Sequence, residues 1–345
     1  MITELEQPLP KWAVCNLGAV NLDLMYDPET NDVNWELLKE VLHISQRFAD
    51  NVVDASYYFL PENERMAKNE RRVGKGVMGL ADLFIKMEIP YGSEEMLEKT
   101  DELFKFFAVE SYLASTNIAA KKGSFPYFDC EKLLKSGYMQ NMPKEMHEAI
   151  REKGLRNVTS LTIAPTGSTG TMIGCSTGLE PYYSFTYYRS GRLGQFIEVK
   201  TAIAQKYFDE YPEATELPDY YVSAMDLSPL AHAKVQGTIQ RWVDSAISKT
   251  CNAPKDFTVE QNKELYMQAW KLGCKGVTVY VDGSRDSQVL SLTAEENKFE
   301  EESKKVEQEA IQEVTSPENE EDLTDVTAVC KITFDEQGNM IKECS

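Results

Sequence analysis

The chain has 345 residues, 42% of them hydrophobic and 27% charged, which suits one large domain or two ordinary ones and excludes a disordered or collagen-like protein. Its 56 acidic and 36 basic residues leave a net charge of −20, against a basic surface that would track DNA or an anionic membrane. No run of about 18 apolar residues occurs and the first residues lack a signal-like pattern, so the expectation is a cytoplasmic protein with no DNA or membrane partner. The seven cysteines and three histidines (His43, His147, His232) sit at no zinc-like spacing. A metal site built by this chain alone is therefore not expected.

Apolar residues recur at helical spacing through 34–58, from Trp35 and Leu38 to Val52 and Val53, with Asn34 placed to cap the helix. Further helices are predicted over 77–87 and 94–120, then over 198–211, 228–248 and 259–272. Short strand-like runs at 158–164, 182–188 and 277–281 are bounded by turn residues. Strands alternating with helices predict an α/β architecture with a largely buried sheet. Residues 295–325 hold thirteen acids against three lysines, too few apolar groups to offset ordering entropy, and read as a flexible tether. The last residues regain strand pattern. A hairpin symmetric about Gln337 sets Phe334 across from Met340, Ile332 from Lys342 and Cys330 from Cys344.

Gly74-Lys-Gly76-Val-Met-Gly79 is formally a dinucleotide fingerprint, which needs a buried strand just before it. Residues 63–72 are too polar for that, so the glycines are read as close packing at a helix start; a nicotinamide oxidoreductase is the rival reading. Residues 164–171, Ala-Pro-Thr-Gly-Ser-Thr-Gly-Thr, follow an apolar run and concentrate hydroxyls, glycines and free amides. By themselves they suit a polar turn and a phosphate cradle equally. Singly, Glu180 reads as a surface or capping carboxylate, Arg285 as an ion-pair partner and Cys15 as a core thiol.

In order, six blocks of this sequence closely resemble the large catalytic subunit of ribonucleotide reductase. They are Gln7-Pro-Leu-Pro with Cys15-Asn-Leu-Gly-Ala-Val-Asn-Leu22, Arg72-Val-Gly-Lys-Gly-Val-Met-Gly-Leu-Ala-Asp82, Ala164-Pro-Thr-Gly167, Ser176-Thr-Gly-Leu-Glu-Pro181, Ser248-Lys-Thr250, and Gly276-Val-Thr-Val-Tyr280 with Asp282-Gly-Ser-Arg285. The resemblance runs from residue 6 to about 288. It implies the C-terminal half of the family's ten-stranded α/β barrel over 1–290, an acidic linker over 291–326 and a cysteine-bearing tail over 327–345. The form of the family that receives a radical from a second subunit has two adjacent tyrosines where this chain has Tyr280 and Val281. The chain is more similar to the adenosylcobalamin-dependent form, although Val281 departs from the arginine common there.

The resemblance further implies roles for residues. Cys15 matches one of two thiols that reduce the ribose and become a disulfide. Pro165, Thr166, Gly167, Ser168 and Thr169 match the loop that holds substrate phosphates, and Glu6 matches a glutamate that binds ribose. Glu4 falls where the family has its thiyl-radical cysteine and Ile2 where it has an asparagine. The expectation is a chain inactive alone, requiring a separate N-terminal half that brings the thiyl cysteine and the second redox thiol. Cys330 and Cys344 match tail thiols that re-reduce the active site and take electrons from thioredoxin or glutaredoxin. The alternative is an inactive relative that binds nucleotide as a regulatory subunit.

Overall fold

In this computed structural model the residues described are 7–191, 194–284, 330–334 and 340–344, with side chains described except at 187–199 and in the last two segments. The chain divides after Ser284 into two units.

The first unit is organised around parallel strands joined by helices. β1 (Asn16–Asn21) is followed by a short 3₁₀ turn, Leu22–Met25, and the small pair β2 (Tyr26–Asp27) and β3 (Asp32–Val33). α1 (Trp35–Ala55) starts where the Asn34 side chain accepts the Leu37 amide at 3.0 Å, as its capping role requires. It buries Leu38, Leu42 and Val53. α2 (Pro61–Glu70) ends in a left-handed Arg71 and leads into β4 (Val73–Met78), which pairs in parallel with β1. α3 (Leu80–Lys86) and the 29-residue α4 (Glu94–Lys122) follow, α4 burying Leu103, Phe104, Phe107 and Tyr112. Each such side chain contributes about 1.5–3 kcal/mol by leaving water.

The short helices α5 (Cys130–Leu134), α6 (Gly137–Gln140) and α7 (Lys144–Lys153) return the chain to the sheet. There Lys75 bridges Leu161 and Ile163 bridges Ile247, both in parallel. α8 (Gly167–Ile173), the hairpin of β5 (Thr186–Gly191) and β6 (Gly194–Lys200), α9 (Ala202–Glu210) and α10 (Pro229–Gln240) come next. β7 (Thr250–Ala253), α11 (Val259–Lys271) and β8 (Thr278–Val281) complete the unit, with β8 parallel to β7. The order across the sheet is thus β1, β4, the 160–164 segment, the strand from Ile247 into β7, then β8. The helical side carries one large core that joins Val20, Leu42, Val77, Phe104, Leu161 and Ile247. This is the parallel α/β arrangement expected; among the described residues neither β1 nor β8 pairs with a further strand, so no closed barrel is formed by them.

Several sequence expectations are corrected. The glycine-rich segment read as a helix start is strand β4 through Met78, and α3 begins only after Gly79. The glycines are needed by a neighbouring strand: a Cβ at Gly76 would sit 2.6 Å from Thr162 O. The predicted helix at 228–248 stops at Gln240, since residues 244–248 turn back to pair with the 160–164 segment. Residues 198–200 belong to β6 rather than to a helix, and β1 and α2 had no counterpart in the expectation. Residues 158–164 form only isolated bridges, because the Ser160 and Leu161 amides donate to the Asp244 carboxylate, at 2.6 and 3.1 Å, in place of a strand carbonyl.

In the second unit β9 (Cys330–Phe334) and β10 (Met340–Cys344) pair antiparallel, with Phe334 opposite Met340, Ile332 opposite Lys342 and Cys330 opposite Cys344 in the backbone register. The acidic stretch at 295–325 lies outside the described residues.

Candidate functional site

Side chains alternate across a strand, so one face of β4 carries Gly74, Gly76 and Met78, all buried, with Thr162 and Leu17 packed close over the glycines. Cys15, just before β1, borders this glycine strip: a Cβ on Gly74 would lie 3.0 Å from its Sγ and in collision with the Thr162 methyl. The thiol is half-buried and its only hydrogen bond among the described residues is to the Asn16 carbonyl at 3.7 Å. Burial pushes its pKa up to about 12, with Arg72 opposing and Asp244 reinforcing the shift. It is free, as are Cys130, Cys175, Cys251 and Cys274.

Three residues beyond Thr162 the chain enters the turn at 165–169. Pro165, Gly167, Ser168 and Thr169 are exposed, and Thr166 adopts a left-handed conformation, φ +50°. Its carbonyl accepts the Gly170 amide at 2.7 Å, and its Oγ1 accepts the Gly178 amide at 2.8 Å. The first amides of α8, from Gly167 to Thr169, have no acceptor within the helix. The structure therefore brings Cys15 and the strand that ends in this turn together over Gly74. Glu6 lies outside the described residues, as do the side chains of Cys330 and Cys344.

Behind the turn is a buried polar group that sequence reasoning missed. Lys249, fully buried, donates to Glu180 Oε2 at 2.6 Å, to His232 Nδ1 at 3.0 Å and to the Thr250 carbonyl at 3.3 Å. Glu180 Oε1 accepts the Thr250 amide at 2.6 Å. His232 Nε2 donates to the Ala224 carbonyl at 2.9 Å, and burial with the nearby ammonium lowers its pKa to about 3. Tyr91 donates to the Leu179 carbonyl. The available signal was the pair of blocks around Glu180 and Lys249, which spacing alone does not join.

Two carboxylates brace the surroundings. Asp82 accepts the Ser176 amide and the Tyr182 hydroxyl, each at 2.7 Å, and desolvation raises its pKa. Asp244 accepts from Ser160, Leu161, Tyr112 and Ser245 and is likewise raised by burial. Its position inside a predicted helix hid this role.

Parallel strands crossing over through helices, with a thiol just before one strand and a donor-rich turn after a neighbouring segment, define an α/β protein. The family model for the barrel domain of ribonucleotide reductase matches residues 2–280, and the chain belongs to that family. A vitamin B12-dependent ribonucleoside-diphosphate reductase of Thermoplasma acidophilum is 33% identical over 322 residues, covering 88% of this chain and 40% of the relative. A protein of the same name from Mycobacterium tuberculosis is 33% identical over 309 residues, 84% of this chain and 41% of its own. A ribonucleoside-diphosphate reductase subunit alpha of Chlamydia pneumoniae is 28% identical over 308 residues, 76% of this chain and 29% of its own. The chain thus spans about two fifths of the length of its B12-dependent relatives.

For a cobalamin, the described residues offer no cluster of metal-binding side chains. Each histidine is already engaged: His43 with Glu110, His147 with the Met139 carbonyl, and His232 with Lys249 and Ala224. No helix among the described residues is long and apolar enough to cross a membrane.

Proposed function

We propose that this chain is the C-terminal half of a ribonucleotide reductase catalytic barrel, and that together with the other half of that barrel it reduces ribonucleotides to deoxyribonucleotides. The observation that carries the reading is the Cys15 thiol packed beside Gly74, next to Thr162 of the segment that ends in the 165–169 turn. The proposed half-reaction is balanced: ribonucleotide plus two thiols gives deoxyribonucleotide, water and a disulfide. Cys15 is one of those thiols. With a pKa pushed up to about 12 it keeps its proton at neutral pH, so it delivers hydrogen as well as an electron to the ribose. In the turn that Pro165 opens and shapes, the backbone amides of Gly167, Ser168 and Thr169 and the hydroxyls of Thr166, Ser168 and Thr169 hold the substrate's phosphates, and Glu6 meets the ribose. Strand β1, which among the described residues pairs only with β4, supports a partner half, which brings the thiyl cysteine and the second redox thiol.

The proposed cofactor is adenosylcobalamin, which when bound would supply a radical by cobalt–carbon homolysis; the vitamin B12-dependent reductases among the chain's relatives support it. Cys330 and Cys344, opposite one another in register, are proposed to re-reduce the disulfide and to be recharged by thioredoxin or glutaredoxin. The test is coexpression of the chain with a polypeptide carrying the remaining barrel, and assay of deoxynucleotide formation with and without adenosylcobalamin. Cofactor-dependent product that disappears in Cys15→Ser is the expected result. Full turnover by Cys15→Ser would instead make this chain a nucleotide-binding regulator, and turnover by the chain alone would remove the need for a second half.

A further inference from the structure

Three consecutive residues behind the 165–169 turn are each tied to a different element. The Gly178 amide donates to Thr166 Oγ1 at 2.8 Å, the Leu179 carbonyl accepts from Tyr91, and both oxygens of Glu180 are bonded, to Lys249 and to the Thr250 amide. Gly178 has φ +51°, and a Cβ there would press to 3.1 and 3.2 Å on the carbonyls of Ala164 and Pro165. Thr250 opens β7, a strand of the main sheet, so the turn is cross-braced to its neighbour strand.

Lys249 is buried and Glu180 a quarter exposed; such a pair loses hydration that its attraction only just offsets, so it is weak evidence of a stabilising role. Nor is Lys249 an anion ligand, since its protons are committed to Glu180, His232 and Thr250 and its charge is cancelled by Glu180.

We propose that Lys249 and Glu180 are positioning residues, a bracket that holds the 165–169 turn preorganised for a diphosphate-type anion; this rests on the phosphate reading of that turn given above. Preorganised amides bind without the cost of ordering the loop, so loosening the bracket weakens binding without removing a contact.

The full chain is titrated calorimetrically with inorganic pyrophosphate, and backbone amide exchange is followed in parallel. The double variant Glu180→Gln/Lys249→Met removes both charges together and leaves no lone charge buried. The wild type binds, and in the double variant Kd rises about tenfold or more, equivalent to ~1.4 kcal/mol. Amides 166–169 exchange faster in it while those of β4 are unchanged, which a general loss of stability would not produce. Glu180→Gln alone keeps the side chain's shape and its acceptor for the Thr250 amide but removes the charge that ties it to Lys249; a raised Kd with faster exchange at 166–169 is expected, and this variant decides the matter if the double variant does not fold. A wild type that does not bind pyrophosphate refutes the phosphate reading itself. A wild type that binds, with affinity and loop exchange unchanged in the double variant or in Glu180→Gln, refutes the bracket.

Discussion

Replacing Gly76 by alanine tests how the sheet is assembled. The added methyl would lie 2.6 Å from Thr162 O and 3.3 Å from Ile163 Cα, well inside contact distance, and backbone atoms cannot rotate away as a side chain could. The 160–164 segment must move bodily, and that segment is anchored by Asp244 and by Ile247. Overpacking costs about 1–3 kcal/mol, and the rigidity of the neighbours places this case near ~3 kcal/mol. For a unit of this size a loss of ~1 kcal/mol lowers Tm by about 2–4 °C, so the expected fall is about 6–12 °C. Gly18→Ala is the internal control, since nothing lies within 4 Å of its added methyl and its φ is ordinary. Its effect is expected within about 1 kcal/mol of zero, on the stabilising side. Thermal unfolding followed by circular dichroism, with urea titrations as a check on two-state behaviour, measures both. A Gly76→Ala protein melting with the wild type, or a Gly18→Ala protein falling equally far, would show that the strand contact is not the constraint.

Lys75 is buried and among the described residues donates one side-chain hydrogen bond, to the Leu42 carbonyl, and burial lowers its pKa to about 7 against a smaller opposing pull from Asp244. Between about pH 7 and 10.5 the unfolded chain binds the proton that the folded chain has shed, so stability rises with pH across that window and the full penalty, up to ~5 kcal/mol, is present below it. Lys75→Met should therefore stabilise the protein at pH 6, with the gain shrinking towards pH 10; urea midpoints that show a pH-independent gain would contradict this. Cys15, its pKa pushed up to about 12, should react with iodoacetamide at pH 8 about 10³-fold more slowly than a simple thiol. Mass spectrometry of the labelled peptides measures the rate, and labelling as fast as an unperturbed thiol would show that burial does not protect it.

Much of the architecture was legible in residue patterns, but unevenly. The capping Asn34 and the amphipathic run behind it marked α1, and Ser93 with Gly123 bounds α4 much as the punctuation at 92–93 and 122–124 suggested. β4 was not legible, because glycine is a poor strand former and only the close approach of Thr162 explains two of them there. The end of α10 was missed for a related reason: residues 241–248 have an apolar pattern compatible with a helix, yet they are drawn into the sheet by Ile163. At the site, Cys15 and the 165–169 turn carry local signals of their own. Lys249 and Glu180 do not, since their meaning is a contact across 69 residues of chain.

Ser160 and Asp244 are 84 residues apart in the chain. At a ribosomal pace of about 5–20 residues per second, the amides of Ser160 and Leu161 wait about 4–17 s for the carboxylate that satisfies them. Through that interval β1, β4 and the long helices have already been made, while the strand that aims the 165–169 turn still lacks its anchor. The order of synthesis therefore makes β1, β4 and the first long helices early products and the anchoring of the 160–164 segment a late one, and a chain stalled before residue 244 would carry that segment with its amides unsatisfied and its core lacking Ile247.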